Sequence, residues 1–231
     1  EERGRHSIVE LIDGIDSVAS GLFLPEDVTV FEAVARINHH LFDGLGFVGN
    51  SSDYDNPDNS MLDTVLKHRT GLPISLSLIY IEVARRHGCS IHGIGFPRHF
   101  LVSPADATPS FYIDAFGGGR VMRTETIKPW YQRIADETHG RLPPMSWWLK
   151  PVTNRQLMVR INNNLKASFM RQDNLMGALR CCVERLLVLT PDALDLRRDR
   201  GLLRLELGLE EEGAKDLDAY LAARHERATT D

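Results

Sequence analysis

The chain has 231 residues, 42% hydrophobic and 26% charged, enough apolar side chain for a sizeable core in one or two domains. Its 27 Lys and Arg against 32 Asp and Glu leave a net charge of −5, which argues against a general nucleic-acid binder. No apolar run approaches the ~20 residues of a membrane-spanning helix, and three cysteines with no CxxC pair fit neither a disulfide framework nor a zinc site. A reducing, cytoplasmic setting is the expectation. The opening residues lack the apolar stretch of a signal peptide, and the start at Glu1 points to a native N-terminus further upstream.

Ile8, Leu11, Ile12, Ile15, Ala19 and Leu22 recur at helical spacing and predict a first helix. Pro25, followed by Glu26 and Asp27, predicts the start of a second. Phe31, Val34, Asn38 and Leu41 would form one side of it, with Gly44 and Gly46 as stops. Residues 49–59 (GNSSDYDNPDN) are a polar loop of turn formers. Its Asp53, Asp55 and Asp58 do not make a calcium loop, because Pro57 and Asp58 stand where a ligand and a glycine are required. The Asn56 and Asn59 amides are instead expected to cap helices and line a groove. Ser60 with Asp63 resembles a capping box before a helix through Leu62, Val65 and Leu66. Pro73 is well placed as the first residue of the next helix. That helix is apolar on most sides as far as His87, which predicts deep burial, and Gly88 stops it.

The period then changes. Ser90–Phe96, Phe100–Ser103 and Ser110–Ala115 read as strands, the last two joined by the loop Pro104–Pro109 as an antiparallel hairpin. Gly117-Gly118-Gly119 ends this section. Residues 139–153 look like a linker or an arm that packs by its tryptophans. From Val152 onward the pattern is helical. Gly177-Ala178 recurs as Gly213-Ala214, 36 residues later, with Pro191 between the two. This is the signature of stacked helix pairs.

Chemistry concentrates at the hairpin. If Ser103 faces Ser110, His99 lies directly opposite Asp114, and opposed residues have Cβ atoms ~4.5–5.5 Å apart on one face. The carboxylate would then fix the ring tautomer and stabilise the imidazolium, the base–orienter half of a catalytic triad. A nucleophile is best placed at the start of a buried helix. Of Gly71, Leu72, Pro73, Ile74 and Ser75, none is a cysteine, so Ser75 and, a half-turn later, Ser77 are the available hydroxyls. Hydroxyls bonded to the backbone of a buried helix are the plainer reading of both. Cys89 reads as a small packing residue at a helix-to-strand turn, and Cys181 and Cys182 as packing residues of a repeat helix. His39 and His40, adjacent on a helix, point apart and do not share a metal.

The stretch LFDGLGFVGNSSDYDNPDNSMLDTVLKHRTGLPISLSLIYIEVARRHG, with GFPRHFLV and FYIDAFGGG after it, resembles the SirB-type family of the transglutaminase-like superfamily. The C-terminal part resembles the tetratricopeptide-type repeats that follow in that family. The resemblance implies an α+β fold: a papain-like domain over residues 1–145, then an all-helical repeat region over 146–231. It also implies a Cys-His-Asp arrangement, in which His99 and Asp114 match the His and Asp. Active members carry the Cys roughly a dozen residues before an Arg that here is Arg85, and counting back lands on or beside Pro73. The nucleophilic Cys is therefore expected to be absent. The family's PGHF pattern is PRHF here, with Arg98 for Gly.

Two function classes follow. One is a non-catalytic scaffold or regulatory protein binding a protein or peptide partner. The other is a hydrolase or acyl-transfer enzyme on amide or ester bonds, with Ser75 (or Ser77) as nucleophile, His99 as base and Asp114 as orienter. Asn59, Pro73, Ser77 and Arg98 are expected to line the substrate or partner cleft. No cofactor, metal, nucleic acid or membrane is expected, and the oligomeric state is left open.

Overall fold

A computed structural model describes residues 8–105 and 110–230. They form two compact units, divided after Thr153, with Asp55–Pro57 grouping with the second.

The first unit begins with α1 (Ile8–Ser20) and α2 (Val30–Asn38), the latter running on as a π-helix, His39–Gly44. The second helix starts at Val30 rather than Pro25. The reason is local: Thr29 accepts from the Glu32 amide, and the Glu32 carboxylate reaches back to the Thr29 amide. That reciprocal capping box satisfies two end donors at once, whereas Pro25 offers only a favourable φ. The box expected at Ser60 and Asp63 does not form. α3 (Leu62–His68) is capped by Met61 without a side-chain hydrogen bond, and the Ser60 hydroxyl is buried with no partner. Two-residue strands β1 (Val48–Gly49) and β2 (Thr70–Gly71) pair in parallel on either side of α3.

α4 (Pro73–Arg86) carries Pro73 at its first turn and buries nine of its residues, among them Leu76, Ile79, Tyr80 and Val83. It packs against a four-stranded antiparallel sheet in the order β3 (Ile91–Ile94), β4 (Leu101–Pro104), β5 (Tyr112–Asp114), β6 (Arg120–Met122). Both faces of this sheet are covered. Val102 and Ile113 join the core of α2 and α4, whereas Ile94, Leu101, Tyr112 and Met122 join a second cluster. That cluster is closed by Ile127, Trp130, Tyr131 and Ile134 of α5 (Thr124–Glu137). Alternate residues of one strand thus serve two cores, so the strands read as continuous apolar runs.

The three expected strands are present but shorter. The sheet also does not end at the glycines: Gly117–Gly119 form the turn into β6. The β4–β5 register aligns Val102 with Ile113. That is two residues from the expected alignment, so His99 does not stand directly opposite Asp114. Asp106–Pro109, within the expected hairpin loop, lie outside the described residues. Residues 139–153 contain a short helix, α6 (Met145–Trp148), and return to the sheet. Pro151 bridges Ile94, and the Val152 amide donates to the Gly93 carbonyl at 2.9 Å. Trp148 packs on the second cluster, while Trp147 stays half exposed.

The second unit is helical: α7 (Asn154–Arg171), a helix from Leu175 to Leu189 interrupted by a π-turn at Ala178–Val183 (α8, Leu175–Gly177; α9, Glu184–Leu189), α10 (Leu194–Glu206) and α11 (Glu210–Thr230). The repeated Gly-Ala pairs mark its helix crossings. A Cβ on Gly177 would sit 2.8 Å from Phe169, and one on Gly213 2.8 Å from Leu205. Each glycine meets the residue eight positions earlier on the preceding helix, so the 36-residue echo is an echo of packing. The side chain of Cys182 lies outside the description, and Cys181 is half-buried.

Candidate functional site

Asp114 ends β5 and is 2% exposed. Each of its oxygens is served. Oδ1 lies 2.8 Å from His99 Nε2 and accepts from the Gly117 amide at 3.0 Å, and Oδ2 accepts from Arg120 Nη2 at 3.0 Å. Burial pushes this carboxyl up, but the hydrogen bond and charge of His99, the Gly117 amide and the Arg120 guanidinium outweigh it and hold it below the usual carboxylate range. The glycine turn makes the arrangement possible. Gly118 and Gly119 have φ of +71° and +79°, and a Cβ on Gly117 would sit 2.6 Å from Asp114 Oδ2. Asn38 pins the turn by donating to the Gly119 carbonyl at 2.7 Å.

His99 lies in the turn before β4, not in a strand. Its ring meets Trp130 edge to face at 5.4 Å and Phe116 at 6.1 Å. Arg120 stands over the Trp130 ring at 5.2 Å. His99, Asp114, Arg120 and Trp130 thus form a closed ring of contacts in which each is fixed by two others. With Nε2 turned to the carboxylate, Nδ1 is the ring nitrogen on the opposite edge. Beside His99 runs an open cleft of about 230 Å³, lined by Phe96, Pro97, Arg98, Trp130, Arg133 and Ile134. Arg98 holds a left-handed backbone, φ +56°, and its guanidinium pairs with Glu137 at the end of α5.

Pro73, Ser75 and Ser77 lie in the first turns of α4, and Asn59 in the short helical turn that precedes α3. Ser75 is 1% exposed. Its hydroxyl donates to the Asn59 carbonyl at 2.6 Å, lies 3.1 Å from the Leu72 carbonyl, and accepts from the Leu72 amide at 2.9 Å. It therefore serves as the cap of α4. Ser77 is fully buried, its hydroxyl without a partner. Asn59 turns its amide inward to the Asp53 carbonyl and accepts from Asn50, which shapes the polar loop. Pro73 is buried at the first turn of α4. Cys89 packs on the core of α4, and burial pushes its thiol up, away from the reactive thiolate. Among the described residues, no group of three or more His, Cys, Asp or Glu is placed to hold a metal, and no helix is long and apolar enough to cross a membrane.

A family model for the transglutaminase-like superfamily matches residues 7–163, about two thirds of the chain. The chain belongs to the transglutaminase-like superfamily. A tetratricopeptide-repeat model matches residues 165–231. Among curated relatives, a UPF0162 protein of Xylella fastidiosa is 37% identical over 191 residues, which cover 81% of this chain and 66% of the relative. F-box only protein 21 of Mus musculus is 31% identical over 226 residues, 88% of this chain and 35% of its own length. Protein SirB1 of Salmonella typhimurium is 25% identical over 180 residues, 76% of this chain and 64% of its own length. The SirB-type resemblance in the motifs is therefore a true relationship, and the chain spans just under two thirds of the first of these relatives. No solved structure matches the chain significantly. Within the superfamily domain, sequence reasoning did not reach Arg120 and Trp130. The available signal was the three-glycine run, which a turn between paired strands explains as well as a terminus does.

Proposed function

We propose that this chain is a non-catalytic member of its superfamily, a scaffold or regulatory protein that holds a protein or peptide partner through the cleft beside His99 and the helical repeats. One observation carries the reading. Ser75, the hydroxyl where a papain-like nucleophile would stand, is buried and bonded to the Asn59 carbonyl. A serine becomes a nucleophile only when a base can take its proton, and this proton is committed to the backbone. Pro73, two residues before it, has no amide proton to offer an oxyanion. Tetratricopeptide repeats commonly bind other proteins, which agrees with the second unit.

The runner-up reading is a hydrolase or acyl-transfer enzyme using Ser75 with His99 and Asp114. The intact His99–Asp114–Arg120 chain favours it. A panel of activated esters and peptide amides, assayed with the protein and with His99→Ala, separates the two. The scaffold reading expects no turnover above background from either. Hydrolysis by the parent protein, lost in His99→Ala at an unchanged melting temperature, would overturn it, and Ser75→Ala would then test the nucleophile.

A further inference from the structure

The cleft beside His99 combines an apolar lining with an unbalanced charge. Phe96, Trp130 and Ile134 supply the apolar walls, Phe96 fully buried beneath. Two guanidiniums border it, and they differ. Arg98 is neutralised by Glu137. Arg133, exposed on α5 four residues before Glu137, makes no ion pair or hydrogen bond among the described residues. His99 brings no uncompensated charge of its own, because Asp114 stands behind it and is shared with Arg120. The net excess at the cleft is therefore positive and sits on Arg133. At about 230 Å³ the space is below the ~300–1,000 Å³ of a drug-sized ligand pocket. It suits one amino-acid side chain and the group attached to it rather than a folded segment.

We propose that this cleft takes the C-terminal residue of a partner polypeptide, its apolar side chain against Trp130 and Ile134 and its terminal carboxylate on the Arg133 guanidinium. This rests on the peptide-binding reading above and deepens it by naming the end group recognised. A guanidinium matches a carboxylate with two parallel donors, and an apolar floor beneath it selects a side chain without charge. A terminal carboxylate is favoured over an internal Asp or Glu because the open cleft has room for a chain end, whereas an internal acidic residue would bring chain on both sides of it.

The test is calorimetric titration of the full chain with three forms of one acetylated tetrapeptide. The first ends in leucine with a free carboxylate. The second is the same peptide as its C-terminal amide. The third is an amidated peptide with glutamate before the leucine. The free acid is expected to bind about tenfold or more tighter than the amide, the scale of one charge-assisted bidentate pair. Arg133→Ala, an exposed position whose melting temperature should not move, is expected to abolish that preference, and Arg133→Lys to restore part of it.

Equal binding of acid and amide, or a preference surviving in Arg133→Ala, would overturn the assignment while leaving peptide binding in place. Tighter binding of the internal glutamate peptide would move the recognition to an acidic side chain and also overturn it. Failure of all three peptides to bind would overturn the end-group proposal. Whether the broader reading falls with it is then decided separately by the ester and amide panel.

Discussion

Each unit buries one aspartate among basic partners, and the two do different work. Asp216 on α11, 6% exposed, accepts from Arg200 at 2.7 and 2.6 Å and from Arg204 at 2.6 Å, both on α10. Burial pushes its carboxyl up, and the two guanidiniums more than reverse this. Its partners are permanently charged, and they tie one helix of a repeat to the next at the Gly201–Gly213 crossing. Asp114 has only one such partner, Arg120, which is itself half exposed. Its other side-chain partner is a titratable ring bordering a cleft. A buried carboxylate clamped by arginines is a structural clasp. One shared between an arginine and a histidine sets the orientation and tautomer of that histidine.

The comparison predicts opposite rankings for stability and for the cleft. Asp216→Ala leaves Arg200 and Arg204 facing each other with the half-exposed Glu184, 3.4 Å from Arg204, in place of the buried carboxylate. It should cost about 3 kcal/mol, the scale of breaking a buried pair by removing one partner, read as a lowered urea midpoint at constant slope. Asp114→Ala should cost about 2 kcal/mol, because the half-exposed Arg120 can turn to solvent, which leaves chiefly the His99 ring and the Gly117 amide unserved. It should nevertheless be the variant that weakens binding at the cleft, while Asp216→Ala leaves the cleft intact in the folded fraction. A larger stability loss at Asp114 than at Asp216 would break the distinction.

Acid should expose both aspartates. Each folded-state carboxyl titrates below its unfolded value of ~3.9. The stabilisation is therefore complete above that pH and is lost as pH falls through the lower folded values. Stability measured by urea titration should fall steeply below about pH 4. Asp114→Asn and Asp216→Asn should each flatten that fall, and a slope unchanged in both would show the carboxyls to be unperturbed.

Much of this was legible in the sequence, in an instructive way. The His99–Asp114 contact was reached through a register two residues away from the real one. Side chains alternate with a period of two along a strand, so a two-residue slip keeps every residue on its face, whereas a one-residue slip would have lost the pair. The real contact is diagonal, closed from a turn rather than across a ladder. The helical spacing of Pro73 to Arg86 and the 36-residue echo were readable because each reflects repeated packing. Arg120 was not readable, because its contact depends on three glycines turning the chain back, and glycine runs end elements as often as they reverse them. The start of α2 was misplaced because Pro25 and Thr29 both look like helix openers, and only the reciprocal bond to Glu32 decides between them.

The smallest effect concerns the mouth of the cleft, where two weak terms compete at Arg98. Its left-handed backbone, φ +56°, costs a non-glycine residue roughly 1 kcal/mol or more, and glycine there would relieve most of it. Against this stands the Arg98–Glu137 pair, whose side chains are 61% and 48% exposed, and such pairs contribute about 0.2–1 kcal/mol. Arg98→Ala loses the pair and keeps the strain, so it should destabilise by about 0.5 kcal/mol. Arg98→Gly loses both and should lie about 1 kcal/mol above the alanine variant. High salt separates the terms further, because screening removes the pair but not the backbone strain. In about 1 M salt, Arg98→Gly should equal or exceed the parent in urea resistance while Arg98→Ala approaches the parent from below. If instead the glycine variant were the less stable of the two, the freedom that glycine adds to the unfolded chain would outweigh the relief of the left-handed backbone, and the turn beside His99 would not be a strained one.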